Sequence, residues 1–113
     1  MSDARLPASL EASAIRRAVE AAGGNAMVLR RGDPDRGSLI LVINHRGVHH
    51  AILERLLEPG GNYRWGPAAP SDATPAQVAE FLARRARFDP DSWLIELDVP
   101  NPQRFTAELA VEG

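Results

Sequence analysis

Residues 39–43 form an uninterrupted apolar run, Leu-Ile-Leu-Val-Ile, and constrain the fold more than any other stretch. A strand of this composition is typical of a sheet covered on both faces, because a strand with one face in water alternates apolar and polar residues. The chain has 113 residues, the size of a single domain, and two helices are too few to cover both faces of its sheet. The run therefore predicts a layered domain that tends to associate with itself.

Helical spacing predicts two helices, one before and one after the main block of strands. From Pro7 onward, apolar residues recur on one helical face, and the two glycines at 23–24 favour an exit from the helix. A second helix begins with the capping sequence at 74–77. It ends at Asp89, because Pro90 follows and a residue that precedes proline disfavours the helical region.

Five segments are strand candidates: 26–29, 39–43, 49–57, 63–65 and 93–98. The apolar spacing at 49–57 fits a helix, whereas its position between two turns suits a strand, and periodicity leaves both interpretations open. The predicted fold is α+β, a mostly antiparallel sheet of four to five strands with two helices, in the order helix, strands, helix, strand. One domain spans 1–113, with 1–6 and 100–113 loosely ordered.

Composition excludes several classes of protein. Cysteine is absent, so the chain forms no disulfide, thiol nucleophile or zinc–thiolate site. No apolar run is long enough to span a membrane, and the N-terminus lacks the layout of a signal peptide, which predicts a cytoplasmic protein. The 13 basic residues are all arginine, and 15 acidic residues give a net charge of −2. This balance disfavours a nucleic-acid partner, which requires a basic surface.

Three segments carry a resemblance to a known family. The loop at 30–37 reads Arg-Arg-Gly-Asp-Pro-Asp-Arg-Gly, Trp65 precedes the second helix, and the segment 84–93 contains Phe-Asp-Pro-Asp-Ser-Trp, its most specific part. Over residues 12–98 the chain resembles the small bacterial family known as domain of unknown function 1491. That family has no established activity, cofactor or catalytic residue. The resemblance therefore implies a fold, and it favours a strand at 49–57.

Two arginine–aspartate segments are candidate binding sites. Their residues are Arg30, Arg31, Asp33 and Asp35 in the loop, and Arg84, Arg85, Arg87, Asp89 and Asp91 at the helix exit. The arginines would contact an anion or a nucleic acid, but the charges around the helix exit cancel and the loop retains a single positive charge. The aspartates would bind a cation or act as catalytic carboxylates if the two segments met. The alternative is that these residues neutralise one another and shape two turns.

Aromatic and histidine residues supply the remaining candidates. Trp65 and Trp93 would either stack on a ligand or fill the core between helices and sheet. His45, His49 and His50 lack the spacing of a metal-binding helix. Glycine-rich phosphate loops and serine elbows are absent from the sequence. The sequence therefore predicts no catalytic residue, no metal ligand and no cofactor.

The exit of the second helix carries the most specific structural expectation. Phe88 and Trp93 flank the turn, and both are expected to pack into the core from opposite sides of it. The carboxylates of Asp89 and Asp91 are expected to accept hydrogen bonds from turn amides or from an arginine.

Three functions remain open, and the sequence identifies no partner for any of them. The first is a small cytoplasmic binding or interaction module without catalytic activity, which self-associates as a homo-oligomer. The second is an enzyme, or an enzyme subunit, that uses the carboxylates of the two Asp-Pro-Asp segments. The third is a nucleic-acid-associated factor that uses the arginine cluster. The first ranks highest because catalytic motifs are missing from the sequence.

Overall fold

Eight elements follow one another along residues 6–112, the part of the chain that the computed structural model describes. They are α1 (Ala8–Ala21), β1 (Asn25–Arg30), β2 (Leu39–His45), β3 (Val48–Leu57), β4 (Tyr63–Pro67), α2 (Pro75–Phe88), β5 (Trp93–Asp98) and α3 (Pro102–Glu112). The strands form one sheet, and the helices lie on its two faces. No helix in this part of the chain is long and apolar enough to cross a membrane.

β5 lies inside the sheet, between β1 and β2, although it is the last strand in the sequence. The strand order is β1-β5-β2-β3-β4. β5 pairs antiparallel with β1 and parallel with β2, and the β2–β3 and β3–β4 pairs are antiparallel. The parallel pair requires a crossover connection, which here consists of β3, β4 and α2. The predicted α+β fold with a mostly antiparallel sheet is confirmed.

β2 is buried on both faces, as its composition predicts. Every residue at 39–43 is buried. Ile40 belongs to the apolar cluster beneath α2, whereas Leu41 and Ile43 belong to the larger cluster beneath α1 and α3. Three helices therefore cover a sheet for which the sequence predicts two.

α3 occupies most of the C-terminal segment that the sequence predicts to be loosely ordered. Asn101 caps this helix, because its side-chain Oδ1 accepts a hydrogen bond from the Arg104 N–H at 3.1 Å. Phe105 and Leu109 of α3 pack against the larger cluster, and this packing holds the helix on the sheet. The N-terminal segment 1–6, for which loose order is also predicted, lies outside the described residues except for Leu6.

β3 extends over the segment 49–57, so the strand implied by the family resemblance is confirmed. It follows β2 through a tight turn at Arg46 and Gly47, whose φ angles of 52° and 79° are those of a two-residue hairpin. The carboxylate of Asp98 accepts hydrogen bonds from both turn amides, at 2.9 Å from Arg46 and 2.8 Å from Gly47. These two bonds hold the pKa of Asp98 below its usual value.

A β-bulge interrupts the pairing of β2 with β3 close to this turn. Ile43 is opposite Ala51, but Asn44 is opposite His49, so His50 is the extra residue on β3. The bulge changes the alternation of side chains along β3. As a result, His49 lines a cavity beneath α2.

Candidate functional site

The two Asp-Pro-Asp segments meet in space, at what we call the loop–turn junction, formed by residues 31–37 and 89–93. The Asp33 N–H donates a hydrogen bond to the Asp91 carbonyl at 2.9 Å. The indole Nε1 of Trp93 donates to the Asp33 carbonyl at 2.8 Å, and Arg30 Nη1 donates to the Ser92 carbonyl at 3.4 Å. The segments are thus joined mainly through main-chain atoms.

The same loop also caps the first helix. The Ala8 N–H donates to the Asp35 carbonyl at 3.2 Å, and the Ser9 N–H donates to the Pro34 carbonyl at 2.8 Å. These amides belong to the first turn of α1, where helix geometry provides no acceptor, and no side chain caps this helix. The loop therefore connects α1 to the start of β5.

The Asp33 carboxylate shapes the loop from within. Its Oδ1 accepts hydrogen bonds from the main-chain N–H groups of Asp35, at 2.9 Å, and Arg36, at 2.8 Å. These bonds, the one from Arg36 first, lower the pKa of Asp33 from its ordinary value. This is the hydrogen bonding that aspartate makes in turns.

Within the described part of the chain, the main-chain carbonyls of Asp89 and Asp91, and not their carboxylates, are the acceptors at the helix exit, which corrects the expectation from the sequence. The Asp89 carbonyl accepts from the Ser92 N–H at 3.1 Å and from Ser92 Oγ at 2.7 Å. The Asp91 carbonyl accepts from Asp33. Main-chain geometry set by Pro90 supplies these acceptors, and none of the four aspartates of the two segments lines the groove described below.

Gly32 and Gly37 allow the loop to approach the turn. A Cβ atom on either residue would overlap the Asp91 carbonyl oxygen, and one on Gly37 would also touch the Trp93 ring. Only glycine leaves the space that the junction requires.

Phe88 and Trp93 have different environments, which corrects the second expectation for the helix exit. Trp93 is 2% exposed, whereas Phe88 is 76% exposed. Phe88 is the last residue of α2, and its ring lies 5.6 Å from the Arg87 guanidinium carbon rather than in the core. The chain enters the core only after the turn.

The predicted arginine residues each contact a different neighbour. Arg31 lies over the Trp93 ring at 5.0 Å, and Arg84 pairs with Glu80 at 3.6 Å. Arg85 donates from Nη2 to both carboxylate oxygens of Glu54, at 2.8 and 3.1 Å. These contacts favour structural roles for the three arginines. None of the three contacts is with an aspartate of the two segments, so they differ from the mutual neutralisation considered from the sequence.

Trp65, the remaining aromatic candidate, lies in the floor of a groove between α1 and α3. This α1–α3 groove has a volume of about 420 Å³, and its floor consists of Trp65 and Arg55. Its walls are mostly apolar: Ala14, Ile15 and Ala18 belong to α1, and Phe105 and Leu109 belong to α3. Glu11 lies at the base of the α1 wall, and Glu108 completes the α3 wall.

A charged pair lies at the bottom of the groove. Arg55 Nη2 contacts Glu11 Oε2, and the two side chains are 17% and 11% exposed. The guanidinium carbon of Arg55 lies 4.8 Å from the centre of the Trp65 ring, a cation–π contact. The Nε atom of Arg55 is buried and has no hydrogen-bond partner among residues 6–112. The groove thus combines apolar walls with an arginine that retains donor capacity.

Glu11 and Arg55 are absent from the candidates chosen from the sequence, although the position of each residue in the sequence contains a clue to its role. Arg55 alternates with Leu53, so both point to the same buried face of β3. Glu11 stands between Ala8 and Ala12 on the apolar face of α1. A charged residue on a face that is otherwise apolar indicates a buried pair or a site.

The three histidines lie around the β2–β3 turn and line an open cavity with Pro102 and Gln103 of α3. His45 forms a hydrogen bond from Nδ1 to the Val99 carbonyl at 2.9 Å. Within residues 6–112, no group of three or more histidine, aspartate or glutamate side chains is arranged to hold a metal ion.

Comparison with known proteins relates this fold to solved structures. A family model described as "Protein of unknown function (DUF1491)" matches residues 6–107. A crystal structure of a DUF1491 family protein from Caulobacter crescentus CB15 is 25% identical, with a TM-score of 0.80 over 89% of this chain and 94% of that chain. An NMR structure of a DUF1491 family protein from the same organism is 26% identical, with a TM-score of 0.75 over 88% and 91% of the two chains.

A more distant solution structure shares the fold alone. Protein Atu0922 from A. tumefaciens is 24% identical, with a TM-score of 0.67 over 87% of this chain and 89% of that chain. No curated protein matches the chain.

Proposed function

Because the chain belongs to the DUF1491 family, a family of unknown function, we propose its role from its site: it is a binding module without catalytic activity. The membership confirms the resemblance predicted from the sequence. We place the binding site in the α1–α3 groove, and its ligand is a small uncharged molecule with an apolar body and one hydrogen-bond acceptor. The arginine over a buried tryptophan at the floor of the groove is the observation that carries this proposal.

The size and walls of the groove support a small ligand. Its volume of about 420 Å³ lies within the range of roughly 300–1,000 Å³ that small-molecule sites occupy. Ile15, Phe105 and Leu109 present apolar surface on both sides. Ala14 and Ala18 are exposed and small, so they leave the opening wide.

The floor supports an acceptor on the ligand. A guanidinium group carries five N–H donors and no acceptor, and the Arg55 contacts described above leave its Nε without a partner. A buried donor without a partner costs about 1–3 kcal/mol. A carbonyl group on the ligand would recover part of that cost after a small rotation of the side chain.

The charges around the groove favour an uncharged ligand. Glu11 already balances Arg55, and Glu108 on the rim pairs with Arg104 at 3.2 Å. An anion would add a second negative group beside Glu11, whereas a cation would face Arg55 in the floor. Each charged ligand would therefore lose affinity relative to a neutral one of the same shape.

The Asp-Pro-Asp segments support a module without catalysis. The Asp33 carboxylate is engaged by amides of its own loop, and the Asp91 carbonyl of the second segment accepts a hydrogen bond from the first. These contacts favour the shaping of turns over the enzyme hypothesis for these carboxylates.

Titration of the ¹⁵N-labelled protein with three matched probes tests this proposal. The probes are acetanilide, phenylacetate and phenethylammonium, which are neutral, anionic and cationic. Acetanilide at millimolar concentration is expected to shift the Trp65 indole signal and the amides around Phe105, with the two ions binding more weakly. Stronger binding of either ion would overturn the ligand class, and the absence of any shift in the groove would overturn the site.

A matched pair of alanine substitutions locates the binding. Ala18→Phe fills the groove, and it should abolish the acetanilide shifts without disturbing the core, because Ala18 is exposed. Ala21→Phe places the same ring on the same helix outside the lining residues, and it should leave the shifts intact. Equal responses of the two variants would contradict the proposed location.

Self-association at β1 is a second candidate, favoured by one observation. Met27 and Leu29 are 60% and 43% exposed on this edge strand, on the side of the sheet that α2 covers elsewhere. Two copies of β1 could pair antiparallel with the Val28 residues opposite each other. Met27 of one copy would then lie opposite Leu29 of the other, and no two like charges would be opposite each other. Sedimentation should then show a dimer that Met27→Glu disrupts and Val48→Glu, on the exposed hairpin, does not. A wild-type monomer at all concentrations would exclude it.

A further inference from the structure

His49 is a half-buried titratable residue, with both ring nitrogens buried, that the proposed binding site does not use. It lines a cavity of about 250 Å³ between the sheet and the first half of α2, together with Val42 and Asn44. Both ring nitrogens are buried and have no hydrogen-bond partner in the part of the chain that the structure describes. From this geometry we infer that His49 is a pH-sensitive latch: neutral, it lets the first half of α2 close on the sheet, and protonated, it opens that half.

The surroundings of His49 favour a neutral ring. The lining residues contributed by α2, which are Pro75, Val78, Ala79 and Leu82, carry no charge, and those contributed by α3 carry none either. The charged and titratable groups are Glu96 on β5, and His45, Arg46 and His50 around the β2–β3 turn.

Of these groups, only Glu96 would stabilise a charged ring. Burial is the main cause that lowers the pKa of His49, and the proximity of His50 adds to it. A protonated His49 must therefore regain contact with water.

α2 is the element that can move away from His49. Within the described residues it contributes no buried side chain, whereas β3 lies between two other strands. The second half of α2 is tied to β3 by the Arg85–Glu54 pair, and the first half rests on its capping box and on the apolar contacts around His49. Local opening of such a segment costs less than global unfolding.

The sign of the pH effect follows from the lowered pKa. The ordinary pKa of a histidine side chain is 6.5, and in the open state His49 should titrate near that value. Above that pH the ring is neutral in both states, so the closed state is fully favoured. As the pH falls below it, the open state binds a proton that the closed state does not, and closure weakens by up to about tenfold per pH unit. The effect ends below the pKa of the closed state.

Native-state hydrogen exchange between pH 7.5 and 5.0 tests the latch, with rates corrected for intrinsic exchange. Protection of amides 78–82 should fall several-fold as the pH drops, while amides of β2 and β5 keep theirs. His49→Leu should make this protection independent of pH, and the control His50→Leu should leave it dependent. Protection at 78–82 that does not change in the wild type, or that still changes in His49→Leu, would overturn the inference.

Imidazole titration by NMR gives a second test that needs no substitution. The His49 signals in the intact protein should titrate below 6.5, the ordinary value, over the range in which protection at 78–82 is lost. A midpoint at or above that value would contradict the latch. This test is independent of ligand binding in the α1–α3 groove.

Discussion

The indole N–H of Trp93 and the main-chain carbonyl of Asp33, 60 positions apart in the sequence, are joined by a hydrogen bond of 2.8 Å. The bond links two of the three segments that carry the family resemblance, and it joins a half-buried loop to the core residue Trp93, which is 2% exposed. The resemblance therefore rests largely on a structural junction between α1, the loop and β5.

Replacement of Trp93 should show two separate contributions. Trp93→Ala is expected to lower the free energy of unfolding by about 3–5 kcal/mol, because a buried aromatic ring is lost. Trp93→Phe keeps most of the apolar contact, and the Asp33 carbonyl keeps the Gly37 N–H at 3.2 Å, so its cost should be about 1–2 kcal/mol. Urea unfolding measures both values. Equal free energies of unfolding for Trp93→Ala and wild type would show that the junction does not stabilise the fold.

The close approach at Gly37 predicts a large effect for a single methyl group. In Gly37→Ala the new Cβ overlaps the Asp91 carbonyl and the Trp93 ring, so the loop must move away at a cost of about 2–3 kcal/mol. Gly60→Ala is the control, since its Cβ meets open space and the change should stay within about 0.5 kcal/mol. Thermal unfolding of the pair gives the comparison, and two similar melting temperatures would count against the junction.

The ion pair beneath the groove should contribute more to the free energy of unfolding than an ion pair on the surface. Glu11→Ala leaves the Arg55 guanidinium without its buried partner, and the expected loss is about 3 kcal/mol. Glu80→Ala removes an exposed helix pair with Arg84 and should cost less than about 1 kcal/mol. Chemical denaturation measures both variants. A loss for Glu11→Ala as small as that for Glu80→Ala would mean that water still reaches the groove floor freely.

Acid should weaken the β2–β3 turn through Asp98. Its pKa lies below the ordinary value of 3.8 in the folded chain, so its stabilising effect is present above that pH and is lost as the pH falls through the folded pKa. Asp98→Asn should therefore melt below wild type at pH 7, and the difference should narrow as the pH falls below 3.8. The exposed Asp72→Asn should match wild type at pH 7. A difference for Asp98→Asn that does not narrow at all below that pH would assign the effect to shape rather than charge.

Local sequence signals predict most of the strands and two of the helices, and they fail where pairing is distant. The burial of β2 follows from its composition, and the start of α2 follows from Thr74 and Gln77, which form the expected capping box. The parallel pairing of Leu39 with Trp93 cannot be derived from spacing, because the local sequence of a strand does not indicate which distant strand pairs with it. α3 is missed because Pro100 and Pro102 suggest irregular chain, although Pro102 stands at a position that helices accept.

The candidate groove is harder to predict for the same physical reason. Arg55 and Glu11 each lie on the buried face of their own element, but only the packing of α1 on the sheet brings them together. Trp65 is among the aromatic candidates named from the sequence, yet the choice between core and ligand contact depends on α3, the helix that the sequence does not predict.

The position of β5 inside the sheet has a consequence for the synthesis of the protein. β1 pairs with no strand other than β5, and β2 meets β5 along its full apolar length. A nascent chain that has emerged only as far as α2 can form the β2–β3–β4 hairpins, but β1 has no neighbour and β2 has an open apolar edge. Until Asp98 leaves the ribosome, this edge is a surface for chaperones or for aggregation. Completion of the sheet therefore waits for the synthesis of β5.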